Sequence, residues 1–278
     1  MSKLRVLCGN LEVNRVSHYT TGTKQGGEAE DNASHQQLQA IADLAPDLLL
    51  LQEHSSRLTD DYCRNGWPHV ADHTIRFLAH PSFNCRQVLA VHANMLYPID
   101  DRNGKDLGFL HPDGKEHVPE LMSLGRQVRA AALAASVALH DGTRLWAITT
   151  HGPWVQRADA GEFSAHQLEY FYNLSVFLNF LKYHSPAKIV LSGDFNARMV
   201  DIMEAKLLPD WLTLVTPTTG LSLDLPPDHA KAQFLTERNL YVDGVFTYGI
   251  EALNFEVITG LSDHKLHLVE LDAETISP

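Results

Sequence analysis

The sequence predicts an α/β sandwich in which two mixed β-sheets lie between helical layers. Three observations carry this. Strand-like apolar runs alternate with helical stretches along the chain. Two of the runs, Asp47-Leu48-Leu49-Leu50-Leu51 and Lys188–Leu191, are continuously apolar after their first residue, so their sheets need cover on both faces. The turn signal Asp141-Gly142, flanked by apolar segments, adds antiparallel hairpin pairing to the parallel kind. No Pro/Ser/Gly tract, charge block or repeat divides the chain, so residues 1–278 read as one domain.

Taken in order, Leu4–Cys8 is the opening strand. Residues 14–34 are polar and glycine-rich, the composition of a mobile surface loop. From His35 to Leu44, Leu38, Ile41, Ala42 and Leu44 fit one helical face, and Pro46 breaks that helix. The strand at 47–51 follows and carries Gln52-Glu53 at its C-terminal end. Val88–His92 and Arg129–Leu139 read as strands around a loop-rich segment holding Asp100-Asp101-Arg102-Asn103-Gly104 and His111-Pro112-Asp113-Gly114. Asp141-Gly142 then joins Ala131–Leu139 to Leu145–Thr149. Residues 164–183 give the strongest helix, with Leu168, Phe171, Tyr172, Leu174, Phe177, Leu178 and Leu181 at helical spacing, and Pro186 ends it. Lys188–Leu191 feeds Gly193-Asp194, a short helix is expected near 199–208, and Tyr241–Tyr248, Asn254–Ile258 and Leu266–Leu271 supply the last strands.

Composition bounds the function. Hydrophobic residues make up 44% of the chain and charged residues 20%, ample for a large core. No apolar stretch approaches the roughly 18 to 20 residues of a membrane span, and Met1-Ser2-Lys3-Leu4-Arg5 lacks the apolar region of a secretory signal. Cys8, Cys63 and Cys85 are too few and scattered for a disulfide framework or a zinc site, so an intracellular, reducing compartment, the cytoplasm, is expected. The net charge of −12 opposes sequence-blind binding to duplex nucleic acid, which rests on a basic surface that displaces counterions. A local basic rim, divalent cations or a small substrate can overcome that field.

Four short strings end or follow buried strands and converge on one chemistry: Gln52-Glu53, Thr150-His151-Gly152-Pro153, Gly193-Asp194-Phe195-Asn196 and Ser262-Asp263-His264. Glu53 at the end of an apolar strand must reach water or a cation, because an unpaired buried carboxylate is costly; Mg²⁺ suits such a ligand. In Gly193-Asp194-Phe195-Asn196, glycine permits a sharp exit from the strand and Phe195 anchors the turn. Asp194 can then orient and deprotonate water while the Asn196 amide donates to a phosphoryl oxygen. A protonated His264 can stabilise charge on a pentacoordinate phosphorus, with Asp243 holding its ring. His151 can give a proton to the leaving oxygen or contact the phosphate. Each string also has a plainer reading: a carboxylate at an exposed strand end, an Asx turn, a surface or structural histidine. Their coincidence in one chain points to metal-assisted attack of water on a phosphate ester.

The set Asn10, Gln52-Glu53, His151, Gly193-Asp194-Phe195-Asn196, Asp243 and Ser262-Asp263-His264 resembles the endonuclease/exonuclease/phosphatase superfamily of deoxyribonuclease I-like phosphoesterases. The match runs from residue 4 to 271. It implies a four-layer α/β sandwich with a Mg²⁺-dependent hydrolytic site at one rim, Mn²⁺ being the alternative ion. Carried over, Glu53 is the principal metal ligand, with Asn10 and Asp263 close to the metal. Asp194 activates water, Asn196 binds the phosphoryl group, Asp243 orients His264 against the phosphate, and His151 matches the branches with histidine at this strand end. The chain departs from the pattern at Cys8-Gly9 before Asn10, at His54, at His151-Gly152-Pro153-Trp154 and through segment 84–127.

The reaction class implied is hydrolysis of a P–O bond by in-line attack of water. The first expectation for substrate is DNA or RNA, the alternative a small soluble phosphate ester, and no membrane is expected as a partner. Arg129 is a candidate phosphate-facing arginine. With Arg57, Arg64, Arg86, Arg126 and Arg157 it would form a basic patch for nucleic acid.

Overall fold

The computed structural model describes residues 3–11, 36–37, 39–55, 73–79, 85–92, 109–110, 116–117, 131–139, 143–153, 162–184, 188–225, 238 and 240–274. A six-stranded sheet runs in the order β12 (Ala252–Ile258), β13 (Leu266–Asp272), β1 (Lys3–Asn10), β2 (Leu48–Ser55), β4 (Cys85–His92), β3 (His73–Ala79). A five-stranded sheet runs β10 (Thr213–Leu214), β11 (Asp243–Tyr248), β9 (Lys188–Asp194), β8 (Arg144–His151), β7 (Ala131–Ala138). β5 (Phe109–Leu110) and β6 (Glu116–His117) form a separate two-stranded ribbon. Each large sheet is mixed: β1–β2 and β8–β9 are parallel pairs and the others antiparallel.

Strand alternation explains the layering, because successive side chains leave opposite faces. Leu4, Val6, Cys8, Leu48 and Leu50 from the first sheet meet Leu145, Ala147, Val190 and Val245 from the second, forming the seam between sheets. The alternate residues Leu7, Leu49 and Leu51 pack outward under Ile41 of helix α1 (36–43), residue 38 lying outside the described set. On the far side Trp146, Ile148, Ile189, Leu191 and Phe246 pack under α2 (Ala165–His184) and α3 (Met199–Glu204). The order helix, sheet, sheet, helix is the expected four-layer sandwich, and the doubly covered apolar runs of β2 and β9 lie inside their sheets, away from the edges. Among the described residues no helix is long and apolar enough to cross a membrane.

Several details differ from expectation. Helix α2 buries Gln167, Tyr170, Phe171, Leu174, Phe177, Leu178 and Leu181, a clean three-and-four spacing. Leu168 (46% exposed) and Tyr172 (69%) fall on its outer face, one position off that stripe. The helix near 199–208 is only six residues long, because the chain turns at Lys206 with φ +52°. Strand β3 was not foreseen, and the strand expected at 88–92 begins at Cys85. Strand β2 does not stop before Gln52-Glu53 but runs through them to Ser55. The loop 14–34, the turn Asp141-Gly142, Pro186, Asp100–Gly104, Arg129 and His111–Gly114 lie outside the described residues, although Leu139 N–H donates to Thr143 across the β7–β8 connection.

Candidate active site

The site forms where strand ends of the two sheets converge. Asn10 ends β1, Glu53 lies in β2, His151 ends β8, Asp194 ends β9 and Asp243 opens β11. His264 follows on the segment entering β13. Parallel pairing of β8 and β9 sets His151 beside Asp194, antiparallel pairing of β9 and β11 sets Asp194 beside Asp243, and pairing of β1 with β2 sets Asn10 beside Gln52.

Glu53 is placed by a bulge. The β2–β4 register jumps from Leu51 opposite Val88 to His54 opposite Arg86, one extra residue on β2. The backbone absorbs it at Glu53, where φ is +55°. Only four non-glycine residues have left-handed φ among the described residues, and two of them, Glu53 and Asn196, are candidate site residues. Such conformations cost about 1–3 kcal/mol each and gather where function re-aims a side chain. The bulge brings the Glu53 carboxylate, partly exposed, to 3.3 Å from His151 Nε2.

Gln52, next to it, received no role from sequence. Its buried amide donates to Thr149 Oγ1 at 2.7 Å, tying the first sheet to the second directly behind the site. Tyr170 likewise pairs with Thr150 at 2.7 Å, fastening α2 to the end of β8. A buried polar pair can be recognised in sequence only once its partner is known, so neither was legible.

At the end of β9, Gly193 does not make the sharp exit expected of it. It remains in the strand, and a Cβ there would collide with the Thr150 backbone carbonyl. Glycine serves close approach of β8 and β9, and the turn itself is made by Asn196 at φ +49°. Phe195 anchors the turn as anticipated, fully buried, stacked on Phe171 and edge-on to Phe246. Asn196 N–H donates to Asp194 Oδ1 (2.8 Å) and its side-chain amide donates to the Gly152 carbonyl (3.0 Å). The Asn196 carbonyl in turn accepts from Gln167, which closes an S-x-x-Q capping box with Ser164 at the start of α2.

Asp194 is 3% exposed. It accepts from Asn10 Nδ2 at 3.2 Å and lies 3.9 Å from His151 Nε2. One ligand atom each from Asp194, Asp243 and His264 lie within 4.8 Å of one another, all buried. Asp243 Oδ2 meets His264 Nδ1 at 2.8 Å. Asp263 is also buried, and Ser262 Oγ donates to the Asn10 carbonyl at 2.8 Å, which brings the Ser262-Asp263-His264 string against the end of β1. All eight candidate residues thus fall in one neighbourhood.

Burial and charge divide the titratable groups. Burial disfavours a charged His264, but the Asp243 charge and hydrogen bond, then Asp194 and Asp263, outweigh it and raise the imidazole to about 10. Burial pushes the Asp243 carboxyl up, yet His264 beside it, then His267 and Ser222, bring it below its ordinary value. Burial and the neighbouring Asp243 charge raise Asp194, against the pull of His264 and His151. Burial also raises Asp263. The arrangement is an imidazolium locked to an ionised carboxylate, with a second, more basic carboxylate alongside.

The arginines of the expected basic patch lie outside the residues whose side chains are described.

No family model and no curated protein sequence matches the chain. Solved structures do match it in fold. An endonuclease/exonuclease/phosphatase protein from Bacteroides vulgatus superposes with a TM-score of 0.67 at 17% identity, covering 98% of this chain and 99% of that one. A humanized D. rerio TDP2 gives 0.64 at 15% identity over 98% of this chain and all of that one. A Bacteroides thetaiotaomicron mannosyl-6-phosphatase gives 0.63 at 14%, covering 97% and 99%. The chain has the fold of endonuclease/exonuclease/phosphatase proteins, as the sequence resemblance implied.

Proposed function

We propose that this protein, acting as one domain over residues 1–278, is a metal-dependent phosphoesterase that hydrolyses a P–O bond by direct attack of water. The observation that carries this is the buried trio of Asp194, Asp243 and His264, whose ligand atoms gather within 4.8 Å. Two carboxylates and an imidazolium buried together make a poor structural core, since each buried charge costs several kcal/mol unless it has a task or a full set of partners.

The donor chemistry fits a hard divalent cation. Glu53, Asn10 and Asp263 offer only oxygen as metal donors, and Glu53 is held in a strained backbone conformation that turns its carboxylate into the site. These three residues would hold Mg²⁺, or Mn²⁺ in its place. When bound, the ion supplies Lewis-acid polarisation of the phosphoryl oxygens.

The chain's own residues do the rest. Asp194, made more basic by burial and held by Asn10 and the Asn196 N–H, takes the proton of the attacking water. His264, with Nδ1 committed to Asp243, presents Nε2–H to the developing negative charge on phosphorus. Asn196 keeps the second hydrogen of its amide for a phosphoryl oxygen, the first being given to Gly152. His151, 3.3 Å from Glu53, would protonate the leaving oxygen or contact the phosphate.

The substrate we favour is the phosphodiester of DNA or RNA; in support, a D. rerio TDP2 of like fold, at 14% identity, was solved complexed with a single strand DNA product. The net charge of −12 favours a second reading, a small soluble phosphate ester, and the fold likeness to a mannosyl-6-phosphatase supports it. A buried free Cys8 and only two other cysteines fit a reducing, cytoplasmic setting.

The test is Mg²⁺-dependent hydrolysis of a matched panel by wild type and His264→Ala. The panel holds supercoiled DNA, single-stranded DNA, single-stranded RNA and soluble phosphomonoesters and diesters. Cleavage of a polymer that requires both Mg²⁺ and His264 is expected. Turnover confined to the small esters selects the second reading, and equal turnover by His264→Ala overturns the assignment.

A further inference from the structure

Asp243, which opens β11, and His264, on the segment leading into β13, reach each other from separate stretches of chain, and a third stretch grips both. Residues 221–224 run between them. Ser222 N–H donates to the Leu240 carbonyl, and Lys265 N–H donates to the Ser222 carbonyl. Leu223 bridges His264 in antiparallel fashion, and Asp224 N–H donates to the Asp263 carbonyl. The Asp224 carboxylate also accepts from Gly260 N–H. This clamp joins the approach to β11 to the approach to β13.

At its centre is Ser222, fully buried. Its Oγ accepts the backbone N–H of Val242 (2.8 Å) and of Asp243 (3.0 Å). A hydroxyl that accepts twice still has one hydrogen to give. Asp243 Oδ1 is buried and has no hydrogen-bond partner, while Oδ2 is engaged by His264. The Ser222 hydroxyl is also among the groups that stabilise the charged Asp243.

We propose that Ser222 is a positioning residue: its hydroxyl, fixed by two backbone N–H donors, directs its hydrogen at the Asp243 carboxylate and so holds the other carboxylate oxygen on His264. It acts through Asp243 and touches no substrate. The inference rests on the proposed hydrolytic role of the dyad for its effect on turnover, but its effect on the dyad's geometry stands apart from that role. An ordinary structural serine would satisfy the two N–H groups and leave the carboxylate untouched.

The experiment compares wild type, Ser222→Ala, Ser222→Thr and Asp224→Ala in the full chain. The first readout is the far-downfield proton resonance of His264 Nδ1–H, identified by its loss in His264→Ala. The second is kcat and KM in Mg²⁺ on the substrate found by the panel. Ser222→Ala is expected to shift or lose the resonance and lower kcat at least about tenfold with KM nearly unchanged. Ser222→Thr keeps a hydroxyl and restores both. Asp224→Ala loosens the clamp but retains the resonance. A resonance and kcat unchanged in folded Ser222→Ala overturn the proposal. So does equal loss in Ser222→Ala, Ser222→Thr and Asp224→Ala, which would make the clamp merely structural. If Ser222→Ala fails to fold, Ser222→Cys replaces it, filling the site with a weak hydrogen-bonding group and read by the same outcomes. A resonance that depends on the Ser222 hydroxyl in a protein inactive on every substrate would support the positioning and refute the reaction.

Discussion

His264 Nδ1 and Asp243 Oδ2 lie 2.8 Å apart although one residue leads into the six-stranded sheet and the other opens a strand of the five-stranded sheet. The pair exists only when the two sheets are docked in register. Replacing Asp243 with Asn keeps the shape and removes the charge that raises His264. Turnover is expected to fall about 10²- to 10⁴-fold, with the far-ultraviolet circular dichroism unchanged. Wild-type turnover in folded Asp243→Asn would remove the dyad from the reaction.

Glu53, the proposed metal ligand, carries backbone strain as well. Its left-handed backbone costs an L-residue about 1 kcal/mol or more that glycine escapes. Glu53→Gly is therefore expected to raise the melting temperature by about 2 °C. The same change should weaken Mg²⁺ binding, followed by calorimetry, about tenfold or more. A lower melting temperature would contradict the strain argument, and unaltered Mg²⁺ affinity would contradict the ligand assignment.

His267, beside the Asp243–His264 pair, gives the fold a pH dependence. It is buried, bonded to the Tyr241 hydroxyl at 2.7 Å, with its ring tilted 31° against that of Phe255. Burial lowers its imidazole from 6.5 to about 4; Asp243 opposes this, and His264 and Lys265 add to it. A depressed histidine is neutral in the folded state, so between pH 6.5 and 4 the unfolded chain binds the extra proton. Folding stability therefore falls as pH drops through that window, by about 3 kcal/mol from this group. Urea titrations at several pH values should show a shallower acid limb for His267→Gln than for wild type. Parallel limbs would mean that His267 does not titrate as its burial requires.

Gly193→Ala tests the close approach of β8 and β9. The added methyl meets the Thr150 carbonyl, a backbone atom that cannot swing away, so the strands must part next to His151 and Asp194. A loss of about 1–3 kcal/mol is expected in urea titration, together with reduced turnover in the fraction that stays folded. Gly249→Ala is the control, because its Cβ meets only ordinary contacts with Lys188, although its φ of +67° adds some strain.

The layers were legible in sequence because two interior strands, β2 and β9, carry runs that are apolar on both faces. The candidate site was legible because acids and histidines at the ends of such strands are rare enough to be noticed. What sequence could not supply was the third dimension of each motif. Gly193 looked like a turn residue because Asp and Asn follow it, yet its need is steric and arises from Thr150, 43 positions upstream. Leu168 and Tyr172 looked like core because they are apolar, but the helix phase set by Gln167, Tyr170 and Leu174 turns them outward. Gln52, Ser222 and Tyr170 were invisible, since a polar residue with one distant partner has no local pattern. The strand His73–Ala79 has no uninterrupted apolar run and takes its place by pairing with β4.

The first sheet places β1 between β2 and β13, so strand Lys3–Asn10 waits for strand Leu266–Asp272 to be made. During synthesis β1 can zip to β2 early, but its other edge stays bare until Leu266–Asp272 has emerged, more than 250 residues later. His264 emerges only just before that strand. A ribosome-bound chain therefore carries Glu53, His151 and Asp194 long before it can complete the Asp243–His264 pair. Folding order therefore holds the dyad back: Asp243 and His264 can meet only after the segments that lead into β11 and β13 have both been made.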